Sequence, residues 1–116
     1  MNNLSKRLFE FGVEAINFSR KLPESPEYKV IRYQLIKSST SSGANYEEAQ
    51  AGSSRADFTN KIRISLREMR ESNYWLRTIK KIFQDDFDNS GLDKLIQESK
   101  ELKLILGAII TKMRKE

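Results

Sequence analysis

The chain has 116 residues, a length that fits one domain and lets folding bury roughly two thirds of the surface of the unfolded chain. It contains neither cysteine nor histidine, which excludes disulfide bridges, zinc-thiolate sites, thiol nucleophiles and the usual proton shuttle at neutral pH. Its formal net charge of +5 favours acidic partners over basic ones.

Long apolar patterns with a period of 3.6 residues predict an all-α fold. We expect an antiparallel up-down-up-down four-helix bundle that occupies 1–116 as a single domain. The first helix is predicted over 4–21 and ends before the Leu-Pro connection. The second is predicted over 26–51, with Ser25 as its N-cap and Pro26 at its first position, where the missing amide hydrogen costs nothing.

The second helix must pass through residues 38–43, a run of serine, threonine and glycine that forms helix poorly. A loop is one interpretation, because these hydroxyls compete for backbone hydrogen bonds. The core spacing nevertheless continues in phase from Ile31 to Ala49, and small residues let a neighbouring helix approach closely. We therefore predict one continuous helix.

The third helix is predicted over 55–84, opened by a capping box of Ser54 and Asp57. Gly52 is expected to take the left-handed conformation that ends the preceding helix. One side of the third helix shows spacings of four and three residues that are typical of a bundle core. This core stripe contains Phe58, Ile62, Ser65, Met69, Ser72, Leu76, Ile79 and Phe83.

A turn is predicted at 85–89, because aspartate and asparagine interrupt the helical pattern there. Ser90 and Asp93 then suggest a second capping box, and the fourth helix is predicted over 91–115. Its apolar line keeps a heptad spacing almost to the C-terminus. The line contains Leu92, Leu95, Ser99, Leu102, Leu106, Ile109 and Met113.

The third helix carries the charge imbalance of the whole chain. Between Arg55 and Gln84 there are eight basic and three acidic residues, whereas the remainder has thirteen of each. Such a band could neutralise phosphates, and a tyrosine within it could stack on an unpaired base, although a merely solvated face is the alternative. The candidate nucleic-acid-binding residues are Arg63, Arg67, Arg70, Tyr74, Arg77 and Lys81.

A second polar line on the third helix has two interpretations. Its carboxylates could share proton chemistry, but a structural network with the second helix is simpler, since buried polar groups must be paired and can fix the register of a bundle. We predict the structural role. The network residues are Asn45, Glu48, Asp57, Lys61, Glu68, Glu71 and Trp75.

The first helix has apolar residues on two nearly opposite faces, and one bundle cannot cover both. An apolar patch of this kind is unusual on a monomer and indicates self-association, although scattered surface hydrophobic residues are the bland alternative. The candidate oligomer interface contains Phe9, Val13, Ile16, Trp75 and Ile82.

One set of residues, spread over the second and third helices, matches the pattern of a known family. These residues are Ser42, Gly43, Ala44, Asn45, Tyr46, Glu48, Ala49, Ser54, Arg55, Ala56, Asp57, Phe58, Lys61, Glu68, Glu71, Ser72, Tyr74, Trp75 and Leu76. Through them the chain resembles the four-helix-bundle proteins known as 23S ribosomal RNA intervening-sequence proteins or S23 ribosomal proteins. The resemblance implies a homo-oligomer, typically a pentameric ring, with no established enzymatic activity. Some relatives are encoded within ribosomal RNA genes, and a related branch serves diversity-generating retroelements. We expect no cofactor.

Three functional classes follow from these observations. The favoured one is a ring-forming scaffold that binds RNA or DNA, and the second is an interaction module for an acidic protein. An enzyme using Lys61, Glu68 and Glu71 is the least favoured. No signal-peptide core is evident, and the longest apolar run, from Leu104 to Ile110, is far shorter than the roughly 20 residues that span a membrane, so a cytoplasmic location is expected.

Overall fold

The computed structural model of the protein describes residues 3–52, 54–83 and 89–115. These residues form four α-helices and no strand, which confirms the predicted all-α class. The molecule measures 48 × 22 × 19 Å, so its long dimension follows the helices. The helices are α1 (Asn3–Ser19), α2 (Pro26–Gln50), α3 (Arg55–Phe83) and α4 (Asn89–Lys115).

The helix ends differ from the predicted ends by at most two residues, and those at Pro26, Arg55 and Lys115 match. α1 stops at Ser19 because the chain tightens there, with the Leu22 amide donating to the Ser19 carbonyl oxygen at 3.2 Å. Ser25 occupies the N-cap of α2 with an extended backbone, but its side chain makes no capping hydrogen bond. α4 begins at Asn89, so Ser90 lies within the first turn. The predicted turn at 85–89 falls outside the described residues except for Asn89.

The junction between α2 and α3 shows the N-cap half of the predicted capping box and corrects the prediction for Gly52. The Ser54 hydroxyl oxygen accepts a hydrogen bond from the Asp57 amide at 3.0 Å, as the N-terminal capping motif requires. Gly52, however, does not adopt the left-handed conformation, since α2 ends through a right-handed Ala51. Glycine is favoured there by space, because an added Cβ would lie 2.6 Å from Asp57 Oδ2.

The run of small residues within α2 is helical, so the predicted continuous helix is confirmed. The buried hydroxyls find partners instead of opening the helix. Ser38 Oγ lies 2.8 Å from Ser72 Oγ of α3, and Ser42 Oγ donates to the Ser65 carbonyl oxygen at 2.8 Å. Because these hydroxyls are hydrogen-bonded, the two helix backbones can pack closely without leaving a buried hydroxyl unpartnered at these positions.

Along the contact between α2 and α3, residue numbers rise on one helix as they fall on the other. Ser38 meets Ser72 while Ser42 meets Ser65, so α2 and α3 run in opposite directions at this contact. α2 packs most extensively on α3, and α1 packs least on α4. These pairings are consistent with the up-down-up-down order that the sequence predicts.

The core lies where the apolar stripes of the four helices meet. The predicted stripe of α3 is buried along its middle, and its two ends, Phe58 and Phe83, are partly buried against the core. Met69 is completely buried, whereas Arg67 is exposed. Each buried leucine, isoleucine or methionine stabilises the fold by about 1.5–3 kcal/mol relative to leaving it exposed. Other members of the core include Leu8, Phe11, Leu35, Leu92, Leu102 and Leu106.

Candidate functional site

The predicted basic residues lie along one exposed face of α3. All six are exposed to solvent. Tyr74 is 54% exposed, and its ring contacts the Trp75 ring edge-on, with centroids 5.1 Å apart. The guanidinium carbon of Arg77 lies 5.9 Å from the centroid of the Tyr74 ring, within the range of a cation–π contact. A cation therefore lies over one face of an exposed aromatic ring.

Part of this face forms one wall of a groove between α3 and α4, which we call the cationic groove. Its volume is about 740 Å³. Four of its lining residues are basic and none is acidic, so field lines of one sign converge in it. Sequence reasoning missed the α4 half. The lining consists of Leu66, Arg70, Asn73 and Arg77 on α3, and Lys103, Leu104, Gly107, Ala108, Ile110, Thr111 and Arg114 on α4.

The signal for the missed half was present in the sequence. Lys103, Gly107, Ile110 and Arg114 are spaced by four, three and four residues, which places them on one face of a helix. This face adjoins the apolar core line of α4, on which the prediction for this helix was based. Only the packing of α4 beside α3 turns two separate faces into a groove.

A buried hydrogen-bond chain holds Arg77 at the cationic groove. Arg77 Nε donates to Oδ1 of Asn73 at 2.7 Å, and Asn73 Nδ2 donates to the Ser99 hydroxyl oxygen at 2.9 Å. Ser99 in turn donates to the Ile96 carbonyl oxygen at 2.7 Å. Asn73 is only 5% exposed, so these hydrogen bonds fix both the Arg77 guanidinium and the relative position of α3 and α4.

The contacts described for the predicted polar network link neighbours on one helix. Lys61 Nζ lies 3.3 Å from Asp57 Oδ1, and Trp75 Nε1 donates to Glu71 Oε1 at 3.2 Å. Asn45 donates to the Ser41 carbonyl oxygen on its own helix at 2.9 Å. Glu68 pairs with the adjacent Arg67 at 3.7 Å, and Glu48 is exposed. The described polar contacts between α2 and α3 are made by buried serines, which the sequence analysis treated only as small residues.

The candidate oligomer residues differ in exposure. Phe9, Val13 and Ile82 are exposed, and Ile16 is partly buried. Trp75 is partly buried and packs against the core, so much of its surface is already used within the subunit. The α1 residues border an apolar groove of about 330 Å³ between α1 and α2, which we call the apolar groove. Its lining includes Phe9, Gly12, Val13, Ile16, Thr40, Gly43 and Ala44.

The described part of the chain presents no group of three side chains that could hold a metal ion. Within the same ranges, no helix combines the length and the apolar character needed to cross a bilayer. The features that stand out are the cationic groove and the exposed apolar residues of α1. Together with the fold, they define a helical-bundle protein with a basic surface.

Comparison with known proteins places this bundle in a family. The chain belongs to the 23S rRNA-intervening sequence protein family, whose model matches residues 2–108. It is similar to a crystal structure from Bacteroides thetaiotaomicron VPI-5482, described as a protein with unknown function from the S23 ribosomal protein family. The two share 32% sequence identity with a TM-score of 0.82, over 92% of this chain and 97% of the other. No curated protein matches the chain.

Proposed function

We propose that the protein is a non-enzymatic, homo-oligomeric scaffold of the cytoplasm that binds nucleic acid through the basic face of α3. The observation that carries this proposal is the exposed row of arginines on α3, with Tyr74 among them. Exposed cations on one face attract the phosphate backbone, which supplies most of the affinity of nonspecific nucleic-acid binding.

Self-association is supported by the apolar residues that the single subunit leaves uncovered. Phe9 and Val13 are 58% and 42% exposed on successive turns of α1. They stand beside the apolar groove, where Gly12 and Gly43 allow α1 and α2 to approach closely. A second copy that covered this face would remove the apolar surface from water. A pentameric ring is the assembly that the family resemblance implies.

Nucleic-acid binding is tested by fluorescence anisotropy with labelled RNA and DNA oligonucleotides over a range of salt concentrations. We expect the logarithm of the affinity to fall linearly with the logarithm of the salt concentration, because bound phosphates release counterions. Reversing the charges of Arg63 and Arg67 to glutamate should abolish most of this binding. The matched control reverses Lys29 and Lys37, two exposed cations of α2, and should bind like the parent protein.

The nucleic-acid proposal is wrong if the parent protein shows no binding at low salt, or if the α3 and α2 reversals have equal effects. Binding that is insensitive to salt would also contradict it, because phosphate contacts must weaken as salt rises.

Self-association is tested by size-exclusion chromatography with light scattering at micromolar concentration. A ring of five would have about five times the 13.5 kDa mass of one chain. Phe9→Ser together with Val13→Ser should shift the protein toward monomer, whereas Val30→Ser, an equally exposed apolar residue on α2, should not. A parent protein that elutes as a clean monomer would rule out the oligomer.

A further inference from the structure

The cationic groove differs from an ordinary basic surface in being lined by apolar as well as basic side chains. Arg70 and Arg77 line it from α3, and Lys103 and Arg114 line it from α4. Between them lie apolar side chains, including Leu104, which is 65% exposed. A single subunit therefore offers both cations and apolar surface to one elongated ligand.

The dimensions of the groove suit a short stretch of polymer. The α3 wall from Leu66 to Arg77 is about 16 Å long at the helical rise of 1.5 Å per residue. At an axial spacing of about 3.4 Å per nucleotide of one strand, this length corresponds to about five nucleotides. The groove has open space beside Gly107, where an added Cβ would meet nothing within 4 Å.

The apolar lining of the groove and the nearby Tyr74 ring favour unpaired over paired nucleic acid. In a duplex the flat faces of the bases are stacked inside, so only phosphates and groove edges could reach these residues. In a single strand the bases are free to lie on apolar and aromatic side chains while the phosphates reach the cations. Tyr74 and Arg77 also line an adjoining hollow of about 270 Å³, which places a stacking surface next to the end of the cationic groove.

We infer that the cationic groove binds single-stranded nucleic acid, with its phosphates on Arg70, Arg77, Lys103 and Arg114 and one base stacked on Tyr74. This inference rests on the proposed nucleic-acid function and adds the strandedness of the ligand and the contribution of α4. Arg77 is the most important of these contacts, because its hydrogen bond to buried Asn73 holds the guanidinium where the groove meets the hollow.

The test measures the affinity of the full chain for a labelled ten-residue oligouridine, the matching oligothymidine and a hairpin duplex of equal length. We expect both single strands to bind more tightly than the duplex. Lys103→Gln and Arg114→Gln should each lower the slope of log affinity against log salt by about 0.7, the value expected for one phosphate contact on a single strand. Tyr74→Leu should weaken single-strand binding at least about fivefold while leaving the salt slope unchanged.

Lys112→Gln is the matched control for Lys103→Gln. Lys112 is an exposed lysine of the same helix that does not line the groove, and its removal should change neither affinity nor slope. Thermal unfolding followed by circular dichroism should show that the variants remain folded. A polyglutamate peptide that displaced the oligonucleotide at equal charge concentration would indicate an acidic protein ligand and overturn the inference.

The outcomes separate this inference from the broader function. Binding that is lost on reversal of Arg63 and Arg67 but unchanged by both Lys103→Gln and Arg114→Gln would overturn the groove assignment and leave the nucleic-acid function standing. Tighter binding of the duplex would overturn the assignment of the ligand as a single strand. No binding of any oligonucleotide at low salt would overturn both proposals.

Discussion

Ser42 and Ser65 exchange hydrogen bonds across the contact between α2 and α3. Ser42 Oγ donates to the Ser65 carbonyl oxygen at 2.8 Å, and Ser65 Oγ donates to the Ser42 carbonyl oxygen at 2.7 Å. Both residues are completely buried. The small side chains allow close approach and the reciprocal bonds satisfy the hydroxyls, so a sequence that forms helix poorly by itself is stabilised as helix by its neighbour.

Removing one hydroxyl of this pair should cost stability without unfolding the protein. We expect Ser42→Ala to lower the free energy of unfolding by about 0.5–1.5 kcal/mol, the net value of one buried hydrogen bond. Ser42→Val should cost about 1–3 kcal/mol, because extra carbon must fit between two close helices. Thr40→Ala, at an exposed position of the same helix, is the control and should change stability by less than about 0.5 kcal/mol. Guanidinium unfolding would measure all three, and a Ser42→Val protein more stable than the parent would refute the close-packing account.

The hydrogen bond between Asn73 and Arg77 should support both stability and the position of the guanidinium. Asn73→Ala removes the acceptor of Arg77 Nε and the donor to Ser99, and we expect it to lower the free energy of unfolding by about 1–3 kcal/mol. Asn17→Ala is the comparison, because Asn17 accepts a hydrogen bond from Arg20 at an exposed site and should contribute little. Equal costs for the two substitutions, measured by chemical unfolding, would contradict the special role of the buried asparagine.

Two helical glycines should respond differently to the same substitution. Gly107→Ala should raise the free energy of unfolding by about 0.4–1 kcal/mol, since the new Cβ meets nothing within 4 Å and the unfolded chain loses freedom. Gly12→Ala should not raise the free energy of unfolding in this way. Its Cβ would lie 3.2 Å from the Ser39 carbonyl oxygen, so α1 and α2 would have to shift by a few tenths of an ångström. Melting temperatures of the two variants provide the measurement. A Gly12→Ala variant that is stabilised as much as Gly107→Ala would show that the two helices do not meet at this glycine.

Arg7 of α1 pairs with Glu98 and Glu101 of α4, at 2.6 and 3.2 Å, and the pKa of Glu101 should report on its partners. A hydrogen bond from Gln97, followed by interactions with Arg7, lowers the pKa of Glu101 below its usual value of 4.5. A lowered folded-state pKa means that the stabilising contribution is present above the unfolded pKa and is lost as the pH falls through the folded value. We expect nuclear magnetic resonance of the side-chain carboxyl carbon to show a raised pKa in Gln97→Ala. Gln50→Ala on α2 should leave the pKa unchanged, and an identical shift in both variants would refute the assigned cause.

Much of the fold could be predicted because it depends on local pattern. The spacing of apolar residues on α3 predicts that Met69 faces the core and Arg67 faces solvent, and both positions are confirmed. The helical phase through residues 38–43 likewise outweighed their poor propensity. The left-handed conformation predicted for Gly52 was wrong, because glycine is favoured there by the lack of space beside Asp57, a residue beyond the helix itself.

The arrangement of the candidate site depended on packing between distant segments. Lys103 and Arg114 lie 33 and 44 residues from Arg70 in the chain. The pattern of one helix does not determine which of its residues lie beside those of the other helix. The same holds for Arg7, whose guanidinium reaches Glu98 Oε1 at 2.6 Å across 91 positions of sequence.

The sequence by itself determined that this protein is helical, which side of α3 is buried and which side carries the surplus cations, because helical periodicity is a property of residues close together in the chain. The tertiary structure alone decided which faces stand opposite one another. The serine pairs between α2 and α3 and the buried contact from Asn73 to Ser99 set the helix positions, and only these positions create a groove from two ordinary basic surfaces.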